Sequence, residues 1–368
     1  MVLEPPQTAL MRHKKSEYMH WAKTQSRARF NLATSGVGAF PIRELGFDFG
    51  KLEINGDNSY GYTPLRSAIA RRYGVDTDCV VEADGASMAN HLAMAAILEQ
   101  GDEVLIERPA YGLLLDAALY LEAEVKRFER SEESGYAVDP AEIRRAVTAK
   151  TRLIVITNLH NPSSALTPVA VLREVGDIAR SVGAYVLVDE VYLDAVYENT
   201  PRSAFHLGPE FLITNSLTKV YGLSGLRSGW ILAQPELARR MLSLNNLYGA
   251  TPAHPTELLS VAAFERLDAI RERARRVVET DRKALRDFLA QNRELCAPPS
   301  VCGTTSFVRL LAGDTDGFLA GLRANHETSA VPGSFFERPD HFRVGMGVNS
   351  EMFAEGLRRV GLALRQAG

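Results

Sequence analysis

The sequence predicts an α/β protein: a large domain with a mostly parallel sheet covered by helices on both faces, and a smaller α+β domain. Three observations carry this. Apolar runs rich in valine and isoleucine, such as 152–157 and 184–188, are continuous rather than alternating, as in strands buried on both faces. Helical patterns separate these runs, the order that a parallel sheet with crossover helices requires. At 368 residues the chain also exceeds what one small core organises.

The elements follow in order. Thr63–Tyr73 reads as a helix opened by Thr63 and Pro64. Residues 79–82 read as a short strand, 86–99 as a helix closed by Gly101, 103–107 as a strand and 109–121 as a helix. A helix over 168–182 separates the strands 152–157 and 184–188, and 211–214 and 229–233 are further strands. A long charged, amphipathic stretch over 255–292 bridges to the smaller domain, which mixes strands (306–311, 341–344) with helices (316–325, 351–366). This places the large domain at 41–255 and the small one at 1–40 with 256–368, the N-terminal segment folding back onto the latter.

Composition excludes several classes. A net charge of −3 offers no basic excess for nucleic acid or an anionic membrane. The longest apolar stretch, near 86–98, is too short to span a bilayer and contains Asn90 and His91. The N-terminus lacks the apolar core of a signal peptide. Cys79, Cys296 and Cys302 match no disulfide or zinc spacing and read as reduced thiols of a cytoplasmic protein.

In an open parallel sheet, ligands sit beyond the carboxyl ends of the strands. The residues there suit a phosphate, an aromatic ring and an amine. Lys219 follows a strand and precedes a Gly-rich segment; a lysine desolvated in a cleft becomes a usable nucleophile. Asp189 ends a buried strand, where a carboxylate needs a cationic partner, and a protonated pyridine nitrogen would serve. The Tyr192 phenol and the Asn161 amide could both reach a ring oxygen. Gly85, Ala86 and Ser87 join a strand to a helix start, where free N–H groups hold a phosphate. Ser216 and Arg227 could add a hydroxyl and a guanidinium. Tyr111 could stack on the ring, and Arg343 could clamp a substrate carboxylate. Each has a bland counterpart: a solvated lysine, a helix-capping carboxylate, a half-buried tyrosine, an Asn-Pro turn, an edge-strand arginine. His160 reads as a loop histidine rather than a base.

Taken in order along the chain, these residues resemble the fold-type I pyridoxal-phosphate (PLP) enzymes, specifically class I/II aminotransferases, from about Gly61 to Gly345. Ser216-x-x-Lys219 followed by Gly222, Gly225, Arg227 and Gly229 is similar to the family's Schiff-base pattern. Asp189-Glu190-Val191-Tyr192 resembles its Asp-x-x-Tyr element, Asn158…Asn161-Pro162 its asparagine loop, and Gly85-Ala86-Ser87 its phosphate cup. Gly61-Tyr62-Thr63-Pro64-Leu65-Arg66 is similar to its Gly-x-x-x-Leu-Arg helix start, Tyr111 to its stacking aromatic and Arg343 to its carboxylate-binding arginine.

The resemblance implies the aspartate-aminotransferase fold with a seven-stranded sheet, and PLP on Lys219 as a Schiff base. It further implies a homodimer and amino-acid and 2-oxo-acid substrates exchanged by a ping-pong mechanism. Substrate specificity is then expected from the segment around Ser35, Gly36 and Val37. Two departures stand out. The loop reads Asn161-Pro162-Ser163-Ser164 where the family has Thr-Gly. The tyrosine that reaches a neighbouring subunit's phosphate is replaced by Gly56, with Tyr60 as a substitute candidate.

Three alternatives compete. A PLP-dependent C–S β-lyase or decarboxylase would use the same Lys219 and Asp189. A serine hydrolase could use Ser87 with Asp189 and His206 or His341, although Ala89 stands where the nucleophile elbow needs glycine. A DNA-binding regulator with this fold as a sensor would need a basic helix-turn-helix segment, which the sequence does not show.

Overall fold

The computed structural model describes residues 13–367. Residues 1–12, part of the N-terminal segment discussed above, lie outside the described residues. The central sheet has seven strands: β1 (Val80–Asp84), β2 (Glu103–Arg108), β3 (Glu124–Glu129), β4 (Thr151–Thr157), β5 (Tyr185–Asp189), β6 (Phe211–Ser216) and β7 (Ser228–Leu232). Their spatial order is β1-β7-β6-β5-β4-β2-β3. Only β7 runs against the rest, pairing antiparallel with both β1 and β6.

The continuous apolar character of the central strands has a direct cause. Ile154, Ile156, Val186, Val188 and Ile213 face one core, while Leu153, Val155, Leu187, Leu212 and Ile231 face another across the sheet. With helices on both sides, neither face can be polar. The strand β3 escaped the sequence reading because it lies at the sheet edge, half-exposed, with the charged pattern EVKRFE.

A second sheet orders Val331–Pro332, His341–Gly345, Thr305–Leu310 and Leu295–Cys296, all antiparallel. Its core gathers Leu32, Leu285, Val308, Phe342, Val344, Phe353 and Leu357. Residues Phe30–Asn31 pair in parallel with Thr328–Ser329. The charged stretch expected as one bridge is two helices, His254–Glu265 and Leu267–Gln291, broken at Arg266, whose ψ of 14° leaves the helical path. Three further helices, Glu17–Thr24, Pro140–Ala146 and Pro235–Asn245, lie outside the helical patterns read from the sequence. No helix among the described residues is long and apolar enough to cross a membrane.

Beside the strand ends sits a fully buried ion pair. Arg130 Nη1 donates to Glu107 Oε2 at 2.6 Å, and both side chains are 0% exposed. Arg130 Nε also donates to the Tyr136 carbonyl at 2.6 Å, and Glu107 Oε1 accepts from the Thr157 backbone N–H at 2.8 Å. Burial pushes the Glu107 carboxyl up and Arg130 opposes it, so the charge depends on its partner. Arg130→Met is therefore expected to cost about 3–5 kcal/mol, the price of a stranded buried charge. Urea unfolding checks this, and adding Glu107→Gln in the same chain should recover part of the loss.

Candidate active site

The carboxyl ends of the parallel strands share one edge: Thr157, Asp189 and Thr214 stand side by side in register. Beyond that edge lies a cavity of about 420 Å³. Ala86, Ser87, Tyr111, Asn161, Asp189, Tyr192, Ser216, Lys219 and Arg227 all line it. These come from five separate connections, so their convergence is a property of the fold.

The phosphate-type end is built by close backbone approach. Gly85, at φ +78°, opens the helix Gly85–Ala95, and a Cβ there would come within 2.3 Å of Arg227 Nη2. A Cβ on Gly229 would lie 2.4 Å from the Gly85 carbonyl carbon. Without side chains at these positions, Arg227 reaches the helix start, where Nη2 donates to the Asp84 carbonyl at 3.0 Å. The guanidinium thereby joins the unpaired N–H groups of the first helical turn beside Ser87, a combination that suits a dianion.

Across the cavity, Asp189 is buried. Its Oδ2 accepts from Asn90 Nδ2 at 2.8 Å and its Oδ1 from the Val191 N–H at 3.1 Å. Burial outweighs these bonds and pushes its pKa up to about 6. Thr214 Oγ1 donates to Asn90 Oδ1 at 2.6 Å and so orients the amide toward the carboxylate. Asn90 is a site residue that sequence reasoning missed; its signal was a polar side chain inside an apolar helix.

Lys219 follows β6 and is half-buried. Its Nζ donates to Ser35 Oγ at 2.9 Å and lies 6.0 Å from the centre of the Tyr192 ring. Desolvation holds the ammonium below the ordinary lysine range, with the Arg343 and Arg227 charges acting the same way. The Tyr192 phenol is buried, and among the described residues its Oη has no partner within hydrogen-bond geometry. Burial raises its pKa, against the nearby Arg343 charge and the Ser35 hydroxyl. The Asn161 backbone N–H donates to Thr157 Oγ1 at 3.1 Å, while its Oδ1 accepts from Arg343 Nη1 at 3.0 Å.

Two expected residues stand behind the wall rather than on it. Arg343, 1% exposed, donates to Asn161, to Tyr18 Oη at 3.1 Å and to the Ala33 carbonyl at 3.0 Å; its Nε is buried without a partner. Tyr18, from the helix Glu17–Thr24, covers the guanidinium in this conformation. Gly36 packs on the lysine's own backbone: a Cβ there would lie 3.1 Å from the Lys219 carbonyl, and the neighbouring Val37 N–H donates to that oxygen at 2.8 Å. The same N-terminal helix supplies Met19 and Lys23 to the cavity, both missed because no pattern marked the helix.

The hydrolase arrangement is not assembled. His206 Nε2 pairs with the Tyr73 carbonyl and His341 with Tyr136 and Asp340, and neither lines the cavity with Ser87. His160 is buried between Ser163 Oγ at 2.6 Å and the Pro109 carbonyl at 3.0 Å. Burial drives its pKa well down, which keeps it a neutral structural group.

What remains is a cavity with a desolvated amine, a buried carboxylate short of a cation, an orphaned phenol and an anion cradle. These features fit pyridoxal phosphate by the chemistry of the groups present. Fold and site together define a PLP-dependent enzyme of the aspartate-aminotransferase fold. The sequence model for class I and II aminotransferases matches residues 48–360, and the chain belongs to that PLP-dependent family.

Relatives span more than one reaction. Capreomycidine synthase of Streptomyces vinaceus is 27% identical, over 91% of this chain and 89% of its own. An aspartate aminotransferase of Pyrococcus horikoshii is 25% identical, over 83% and 81%. Among solved structures, a PLP-dependent aminotransferase from Streptococcus suis superposes with a TM-score of 0.90 at 25% identity, covering 95% of this chain and 98% of that one.

Proposed function

We propose that this chain is an aminotransferase that moves an amino group between an amino acid and a 2-oxo acid in two half-reactions. The observation that carries it is the Lys219 amine, held below its usual pKa in a cavity whose other wall is the buried Asp189. PLP, when bound, supplies an aldehyde that condenses with amines and a ring that delocalises carbanion charge.

The residues divide the work. Ser87, Ser216, Arg227 and the start of the helix Gly85–Ala95 hold the phosphate. Asp189, oriented by Asn90, keeps the ring nitrogen protonated. Tyr192 and Asn161 would hydrogen-bond the ring's oxygen, and Tyr111 would stack on the ring. Lys219 anchors the cofactor covalently. As a free amine it would take the proton from the substrate α-carbon, a role its lowered pKa favours near neutrality. Arg343 binds the substrate carboxylate after Tyr18 yields its place on Nη2, and Gly36 lets the specificity segment approach the lysine.

The reading divides the chain into a large domain over 41–255 and a small one over 1–40 and 256–368, and takes a homodimer as the working assembly. The exposed apolar side chains of Ile54, Tyr60, Leu247 and Tyr248 support such an interface. The three free cysteines fit a reducing, cytoplasmic compartment.

A second reading is other PLP chemistry on the same residues, such as β-elimination or decarboxylation. What favours it is the similarity to capreomycidine synthase, a relative named for synthesis rather than transamination. Product analysis separates the two. Holoenzyme given single amino acids should yield one oxo acid per active site with pyridoxamine phosphate, and turn over when a second oxo acid is added. Continuous release of pyruvate with ammonia, or of carbon dioxide, without an oxo-acid requirement would overturn the transaminase reading.

A further inference from the structure

The family's pattern has glycine where this chain has Ser164, yet the backbone there remains glycine-like. Ser164 is at φ +64°, a region that favours glycine. What holds a serine there surrounds its hydroxyl. Ser164 Oγ donates to the Thr305 carbonyl at 2.8 Å and lies 3.0 Å from Thr305 Oγ1, while the Thr305 N–H points at it from 3.3 Å. Thr305 Oγ1 also donates to the Pro162 carbonyl at 2.9 Å, so both ends of the turn are tied to one residue. Opposite stands Gly303, at φ +81°, where a Cβ would lie 2.2 Å from Ser164 Oγ. In this chain the contact carries serine on the loop and glycine on the facing segment.

That facing segment is a junction. Thr305 opens the strand Thr305–Leu310, which pairs with His341–Gly345 and sets Phe307 opposite Arg343. Thr304 Oγ1 donates to the Ser35 carbonyl at 2.7 Å, and Ser35 Oγ receives the Lys219 amine. On the other side of the turn, Asn161 accepts from Arg343. Ser163, by contrast, turns back on its own loop, to His160 and the Ala165 N–H.

The geometry points to Ser164 as a positioning residue: through Thr305 it fixes the Asn161 amide against the strand that bears Arg343. This rests on the reading of Asn161 as a cofactor ligand. Ser164 does not line the cavity; its effect reaches Asn161 through Thr305 and the Pro162 carbonyl, one residue along the chain.

The test is a pH titration of the visible absorbance of the PLP-loaded enzyme, in wild type, S164A, S164G, N161A and the S164G/N161A double variant. Removing the hydroxyl in either Ser164 variant should move the midpoint by about half a pH unit or more, in the same direction as N161A, because a hydrogen bond to the ring oxygen has been misplaced. The double variant should match N161A alone. S164G should melt within about 3 °C of wild type, since glycine takes this backbone freely, which separates mispositioning from unfolding. Midpoints unchanged in both Ser164 variants while N161A shifts would overturn the positioning role and leave the Asn161 reading intact. No shift in N161A either would overturn both. Additive shifts in the double variant would show Ser164 acting elsewhere and overturn the proposal.

Discussion

Lys219→Ala protein is expected to lose turnover by on the order of 10⁴-fold or more while staying folded. On the proposed reading the loss is large because one amine serves twice, as covalent anchor and as proton carrier, and the other amine lining the cavity, Lys23, is exposed to solvent rather than desolvated. The imidazole of His160, from the same loop as Asn161, has both ring nitrogens committed, to Ser163 and to the Pro109 carbonyl. Folding should not suffer. A lysine whose pKa is lowered by burial costs stability at every pH where the unfolded side chain is protonated, so its removal relieves a penalty. Only the single hydrogen bond to Ser35 Oγ is lost. The measurement is borohydride reduction of each PLP-loaded protein followed by peptide mapping. Wild type should carry the reduced cofactor on residue 219, and the alanine protein on none. Full turnover by the alanine protein, or a label on another lysine, would contradict the assignment.

The parts of this site legible in the sequence are those that follow a strand. Ser216, Lys219, Asp189 and Asn161 sit within a few residues of apolar runs whose order fixes which end of the sheet they occupy. What stayed hidden depends on contacts between distant segments. Asn90 looks like a polar blemish in an apolar helix until Asp189 is placed opposite it. Tyr18 and Met19 belong to a short helix of weak amphipathicity, positioned by packing against Tyr111 and Phe335 rather than by any local signal. Arg343 was legible as a strand residue, but its cover by Tyr18 was not, because the two are 325 positions apart. The edge strand β3 shows the same limit in the fold: a strand half in water carries charges and no continuous apolar run. Ser164 is the instructive case. The sequence showed that a glycine was missing, and only the structure shows that Gly303 stands across from it.

Asp189→Asn separates the carboxylate's cost from its use. In the protein without cofactor, burial holds the Asp189 pKa at about 6, above the ordinary value of about 3.9 for an unfolded aspartate. A carboxyl whose pKa is raised by folding stabilises nothing. Its penalty is absent below about pH 4, grows as the pH rises to about 6, and stays constant above that, reaching about 3 kcal/mol. Cofactor-free D189N should therefore gain on wild type across this window, by less than the full amount, because the asparagine keeps only one of the two hydrogen bonds accepted from Asn90 and Val191. Chemical denaturation at pH 4 and pH 7.5 reads the difference. With PLP bound the sign reverses. On the proposed reading the wild-type carboxylate would then face the protonated ring nitrogen, and breaking a buried charge pair of this kind costs about 3–5 kcal/mol, so turnover should fall by about 10²–10⁴-fold. A variant less stable than wild type without cofactor and fully active with it would reverse both signs, and with them the idea that Asp189 is kept at a loss in the empty protein for the sake of the ring it meets.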